Sequence, residues 1–184
     1  MRGVEREIAR QDWTGMRCGC GGSAEHLAGD LLQLAGRGPG HQPCHVSLED
    51  HVWSAVVLWE PAPAVTSVAL AALADGVAPP AREWFLDLLQ HLVAGEGTAG
   101  ESASARRGLD LPQLCRDRAV QGSWLLYAEV MSNRSVGAGT AFEILTVVEP
   151  DRARLQRLRE IAADWLPVCC RTGMCDDGQR VSDR

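Results

Sequence analysis

The chain contains no lysine, so all 18 of its basic side chains are arginine. Tyrosine occurs once and phenylalanine twice, against 19 glycines. With abundant alanine, leucine and valine, this is the residue usage of a GC-rich bacterial coding sequence, and the arginines alone do not signal arginine chemistry. Positive charge is short overall. The net charge of −6 leaves no basic face to neutralise phosphates, which excludes nucleic acid as the expected partner. It equally argues against docking on an anionic membrane. No apolar run reaches the roughly 18 residues of a spanning helix. The opening residues, MRGVEREIARQDW, hold charges throughout, so a secretory signal is not expected and a cytoplasmic setting is.

Familiar catalytic signatures are missing too. There is no G-x-x-x-x-G-K-[ST] loop, no G-x-G-x-x-G after a strand, no H-E-x-x-H and no G-x-S-x-G. CGCGG at 18–22 is glycine-rich but lacks the lysine and the preceding strand of a nucleotide loop. GAGTA at 137–141 also lacks a strand before it and reads as a helix connection rather than a phosphate cradle.

What is present is helical periodicity. The 184 residues are 46% apolar and 23% charged, enough for one domain with a real core. Leu27, Leu31 and Leu34 fall on one side of a helix that begins after Ser23 and ends near Gly36. The glycine- and proline-rich stretch 36–45 must be a loop. Residues 47–61 carry mixed signals. Ser47 and Asp50 resemble a capping box, whereas VWSAVVLW is β-branched and aromatic, as a strand would be. Helix is preferred, because no other segment offers a convincing strand partner. Pro61 and Pro63 open the next helix, and Gly76 ends it. After Pro79 and Pro80, the residues Trp84, Phe85, Leu88, Leu89, Leu92 and Val93 form the clearest amphipathic stripe. A long helix is expected over 110–131 and a short one around Phe142, Leu145 and Val148, after a break at Gly137 and Gly139. The last carries Leu155, Leu158, Ala162, Trp165 and Leu166 inward.

These elements predict an all-α fold of antiparallel helical hairpins, either an α-α superhelix or an irregular helical bundle. Residues 1–170 are expected to form a single helical domain. AGEGTAGESASARRG, near 95–108, reads as a mobile linker, and 171–184 as a disordered tail. The stretch APAVTSVALAALADGVAPPAREWFLDLLQHLV resembles one unit of a HEAT-like repeat, and the chain over about 60–167 is similar to short HEAT-like proteins of GC-rich bacteria. That resemblance implies a non-enzymatic protein-interaction module, of immunity type or regulatory, with a protein partner that an acidic face would suit. It brings no catalytic residues with it.

Candidate chemistry lies elsewhere. The seven cysteines are an odd number in an expected reducing compartment, which disfavours a disulfide framework. Cys18, Cys20 and Cys44, with His41 or His45, could supply four zinc ligands from loops, and His51 follows closely. C-terminal Cys169, Cys170 and Cys175 could bind a soft metal or exchange disulfides, or be incidental thiols. Glu60 and Glu129 sit among aromatics and are the candidate acids or bases of an enzyme. A ligand pocket between helices would be lined by Trp53, Trp59, Trp124 and Tyr127. His26 is expected exposed and His91 partly buried and structural. Two alternatives to the interaction module therefore stand: a small enzyme or ligand-binding protein of bacterial secondary metabolism, and a metal-binding or thiol-sensing protein.

Overall fold

The helix that starts at Pro61 has almost no polar side chains to offer water. In a computed structural model of the chain it runs Ala62–Ala74 (α3), and Val65, Thr66, Val68, Ala69, Ala72 and Leu73 are all buried. A helix apolar on every side must be surrounded. Here α1 (Arg2–Ala9), α4 (Pro79–Ala94), α6 (Leu111–Gln121) and α7 (Ser123–Met131) pack against it. The structure describes residues 2–36, 38, 47–100, 103–132, 135–174 and 176. The other helices are α2 (Glu25–Ala35), α5 (Ala103–Arg106), α8 (Ser135–Val148), α9 (Arg152–Ile161) and α10 (Val168–Thr172). The chain is thus predominantly helical, in keeping with an all-α class. No helix among the described residues is long and apolar enough to cross a membrane.

Local chemistry sets the helix ends. Gly76 adopts φ +66°, its N–H donates to the Leu73 carbonyl, and the Val77 N–H reaches back to Ala72, which is a Schellman stop. Pro79 and Pro80 then start α4. Asp110 and Asp151 cap α6 and α9 by accepting from the Gln113 and Arg154 amides, at 3.0 and 2.9 Å. At the C-terminal end of α3, beside Gly76, the Asp75 carboxylate accepts from the Gly3 and Val4 amides at 2.8 and 3.0 Å. That bond docks the first turn of α1 onto the core and satisfies donors that a helix start leaves open.

The structure differs from the sequence reading at three places. Residues 47–61 are not a helix. They form a two-stranded hairpin, β1 (Trp53–Ser54) and β2 (Val57–Leu58), joined through Ala55 at φ +52°. The missing strand partner lies in the supposed linker: β3 (Gly97–Thr98) pairs parallel with β2. Glu96 and Ala99 donate to Val56 and Leu58, each at 2.9 Å. Strands of two residues are too short to leave an alternating pattern. The expected long helix over 110–131 is two helices that break at Gly122, where a Cβ would stand 2.6 Å from a Leu70 methyl. Conversely, Gly137 and Gly139 lie inside α8 instead of breaking it. A Cβ at Gly137 would stand 2.6 Å from Glu129 Oε1 and 2.9 Å from Leu86 Cδ1, and one at Gly139 would stand 2.8 Å from Pro167. Both glycines serve close packing, not turning.

Within the segment 95–108, Ser104 is buried and its amide donates to Glu60 at 2.9 Å. Beyond α9, α10 continues to Thr172 with Cys170 buried, and Asp176 pairs with Arg159.

The packing at Gly137 sets opposing terms against each other. Glycine to alanine in a helix interior ordinarily stabilises by about 1 kcal/mol. Here the new methyl would meet a carboxylate that Arg82 already holds, and overpacking of this kind costs about 1–3 kcal/mol. Gly137→Ala is therefore expected to lower the unfolding free energy in urea titration, by up to about 2 kcal/mol net. An unchanged or raised midpoint would mean that α7 and α8 can separate to admit a methyl.

Candidate metal centre

The N-terminal cysteines stand on a tight knuckle that the glycines make possible. Cys18 N–H donates to the Gly22 carbonyl at 2.9 Å, and Gly21 N–H donates to the Cys18 carbonyl at 3.0 Å. Gly21 takes φ +89°, a conformation other residues adopt only with strain. Gly19 is constrained differently. Its N–H donates to the His51 carbonyl at 3.0 Å, and a Cβ there would stand 2.1 Å from the Asp50 carbonyl oxygen. Only glycine lets the two backbones meet. Asp50 itself, at φ +64°, turns the chain so that His51 faces the knuckle. His26 comes from the first turn of α2, immediately after the knuckle.

Three stretches of chain thus converge. Cys18 Sγ lies 3.2 Å from His51 Nδ1 and 3.8 Å from His26 Nε2, and the two imidazole nitrogens lie 3.0 Å apart. Cys20 Sγ completes the group, whose four donor atoms all fall within 4.8 Å of one another. A tetrahedral zinc ion with Zn–S of about 2.3 Å and Zn–N of about 2.0–2.1 Å sets S···N edges of about 3.6 Å and an N···N edge of about 3.4 Å. The Cys18–His51, Cys18–His26 and His26–His51 separations each come within half an ångström of these edges. The donor set, two thiols and two imidazoles, is of the type zinc prefers.

The two thiols differ in surroundings. Cys18 is fully buried, and burial pushes its thiol up to about 11 despite backbone donation near it. Cys20 is exposed, and the Gly22 amide followed by the Cys18 thiol hold it below the ordinary value. A cation entering the group must therefore displace the proton from Cys18. The indole N–H of Trp59 lies against the same knuckle: a Cβ on Gly19 would stand 2.8 Å from Nε1. Among the described residues this N–H is the one buried side-chain polar atom without a partner.

Of the ligands expected from sequence, Cys18 and Cys20 stand in this group. Cys44, His41 and His45 lie outside the described residues. His26 and His51 are the other two donors; the sequence reading has His26 merely exposed and notes His51 beside the set without counting it as a ligand. The C-x-C-x5-H spacing into a helix start was a usable signal for His26. His51 has no local signal, since it arrives through the turn at Asp50.

The remaining candidates are held within the fold. Glu60 is buried, and its two oxygens accept from the Arg17 amide at 2.8 Å and the Ser104 amide at 2.9 Å. Glu129 accepts from Arg82, whose guanidinium also reaches the Leu73 carbonyl. Trp53 stacks on His91, with centroids 5.3 Å apart. Tyr127 donates to Glu149 at 2.7 Å, beneath the Arg154 guanidinium. Trp124 is exposed on α7. The four aromatic residues thus engage different surroundings. Compared with family models, curated proteins and solved structures, the chain matches none.

Glu60 fixes the residue before Cys18 and so braces the knuckle. Burial would raise its proton affinity, but the Arg17, Ser104 and Ala103 amides and the nearby Arg107 charge outweigh that and hold it below the ordinary 4.5. A carboxylate depressed in the folded state stabilises fully above its unfolded value, and that stability is lost as pH falls through the folded one. Glu60→Gln is expected to cost about 1–3 kcal/mol at neutral pH. The gap between variant and wild type should narrow in urea titrations below pH 4.5. A gap that stays constant down to pH 2 would show that the Glu60 charge contributes nothing.

Proposed function

We propose that this chain is a zinc-binding helical protein in which Cys18, Cys20, His26 and His51 hold one structural ion. The observation that carries the reading is the meeting of four donor atoms, two sulfurs and two nitrogens, within 4.8 Å, from three stretches of chain. Four protein ligands fill a tetrahedral shell and leave no position for substrate, which is the pattern of structural sites. The ion's work is then to fasten the knuckle and the Asp50 turn to the start of α2. A reducing, cytoplasmic setting suits this reading, because Cys18, Cys20, Cys115, Cys169 and Cys170 are free thiols.

Metal analysis tests the proposal. Chelator-stripped protein is expected to take zinc back, and Cys18→Ser/Cys20→Ser to bind one equivalent less than wild type. The lost binding energy should also lower Tm by several degrees, since each kcal/mol moves Tm by about 2–4 °C in a chain of this size. His26→Ala/His51→Ala should reproduce the loss, while Cys44→Ser/His41→Ala should retain the ion. Unchanged zinc content in the first two variants would overturn the reading.

The helical body supports a second reading, that of a non-enzymatic, HEAT-like interaction module for a protein partner, regulatory or of immunity type. The antiparallel α3–α4 hairpin closed at Gly76 suits a repeat unit. The specific observation is on α7, where Trp124 and Met131, two turns apart on one face, are 63% and 48% exposed. Large apolar side chains so placed are typical of binding anchors. In affinity capture, Trp124→Glu/Met131→Glu should lose partners that the wild type retains. Equal capture by both would remove this face from consideration.

A further inference from the structure

The two adjacent cysteines near the C-terminus stand on a helix that is pinned from several sides. Arg159 on α9 donates to the Cys170 carbonyl at 2.8 Å, grips both Asp176 oxygens at 2.7 Å, and lies over the Phe142 ring. Arg171 N–H donates to the Pro167 carbonyl at 3.0 Å, and Thr172 closes the last turn on Val168 at 2.9 Å. The Cys170 side chain is fully buried against α8, and that of Cys169 is half-buried. Opposite them on α8 stands Glu143. Its Oε2 accepts from Gln90 of α4, and its Oε1 is turned toward Cys170.

The resulting distances are those of a coordination sphere. The Cys169 and Cys170 sulfurs are 3.9 Å apart, and Cys170 Sγ is 3.8 Å from Glu143 Oε1. All three donor atoms lie within 4.8 Å of one another. A tetrahedral ion with metal–sulfur bonds of about 2.3 Å and metal–oxygen bonds of about 2.1 Å requires an S···S edge of about 3.8 Å and S···O edges of about 3.6 Å. The Cys169–Cys170 and Cys170–Glu143 edges already stand within a few tenths of an ångström of these values. Gln90 supplies the outer hydrogen bond that orients a ligating carboxylate.

We propose that Glu143, Cys169 and Cys170 form a second site, for a thiophilic divalent cation of the zinc or cadmium class. It differs in kind from the N-terminal group. Two sulfurs and one oxygen leave a fourth position for water or another ligand, whereas two sulfurs and two nitrogens fill theirs. Thiolate donors select against magnesium and calcium, which take oxygen ligands. Binding releases protons from the two thiols and needs no oxidant or reductant.

The test is a cadmium titration of reduced, chelator-stripped full-length protein, followed by the ultraviolet sulfur-to-cadmium charge-transfer band. Wild type is expected to bind two equivalents. Cys18→Ser/Cys20→Ser should retain one, with the band intact at that stoichiometry. Cys169→Ser should lose one equivalent, and the two sets of changes combined should abolish both. Glu143→Gln, which keeps both sulfurs and a partner for Gln90, should weaken the second equivalent at least tenfold. Circular dichroism of Cys169→Ser should match wild type, since that side chain is only half-buried. Retention of two equivalents by Cys169→Ser, or binding of no cadmium at all by Cys18→Ser/Cys20→Ser, would overturn the second site. Loss of the N-terminal equivalent's own dependence on Cys18 and Cys20 would count against the first site only.

Discussion

Four helices are arranged around α3, which has almost no polar face to offer water. α3 is built from alanine, valine and leucine with one proline, one threonine and one serine, and the two hydroxyls turn back to the Ala62 and Pro63 carbonyls at 2.9 and 3.3 Å. With no polar stripe it cannot lie on a surface, so neighbours must cover it from several directions. Its two ends then act as anchors. Before the first turn, Glu60 takes up the Arg17 and Ser104 amides, and after the last, Asp75 takes up the Gly3 and Val4 amides. Two carboxylates at the two ends of one helix thus fix α1, the cysteine knuckle and α5. Each gives partners to backbone donors that are partly or, at Ser104, fully shut off from water.

The second layer depends on how closely helices approach. Glycines at 122, 137 and 139 each occupy a spot where a methyl would meet Leu70, Glu129 or Pro167. The Arg82–Glu129 pair lies beside one of these contacts and is itself nearly closed to water. A buried ion pair of this kind is weak evidence for net stability but costly to break, because either partner alone leaves an uncompensated charge. Glu129 is therefore better understood as part of the α4–α7–α8 junction than as an acid awaiting a substrate.

How much of this was legible follows from the range of each interaction. Helices carried by one-sided periodicity, such as α4 with Phe85, Leu88, Leu89 and Leu92, could be read directly, because the pattern is local. The capping aspartates 110 and 151 are local as well. The hairpin at 53–58 was not legible, because its third strand lies some forty residues away in a stretch of glycine, serine and alanine. Glycine misled in both directions: Gly122 interrupts a helix and Gly137 does not, and the difference lies in what each faces, not in its neighbours in sequence. At the candidate centre, Cys18 and Cys20 announced themselves by spacing and chemistry. His51 did not, since its position rests on Asp50 at φ +64° and on the backbone contact at Gly19.

That contact also explains why a metal is a physically reasonable fastener here. Between the end of α1 and the start of α2, the side chains buried are Trp13, Cys18 and Ala24, with Trp13 spending its indole N–H on the Ile8 carbonyl at 2.8 Å. Such a segment removes little apolar surface from water, and about 25 cal/mol per Å² gives it a small hydrophobic contribution against the entropy of ordering. Backbone bonds to Gly22, His51 and Glu60 supply direction, yet each is a modest net term. A cation bound by four side chains from three stretches would change this balance, because its binding energy enters folding directly. The cysteine-rich knuckle has little buried apolar surface with which to hold its place, and on the proposed reading the ion adds to the brace that Glu60 provides.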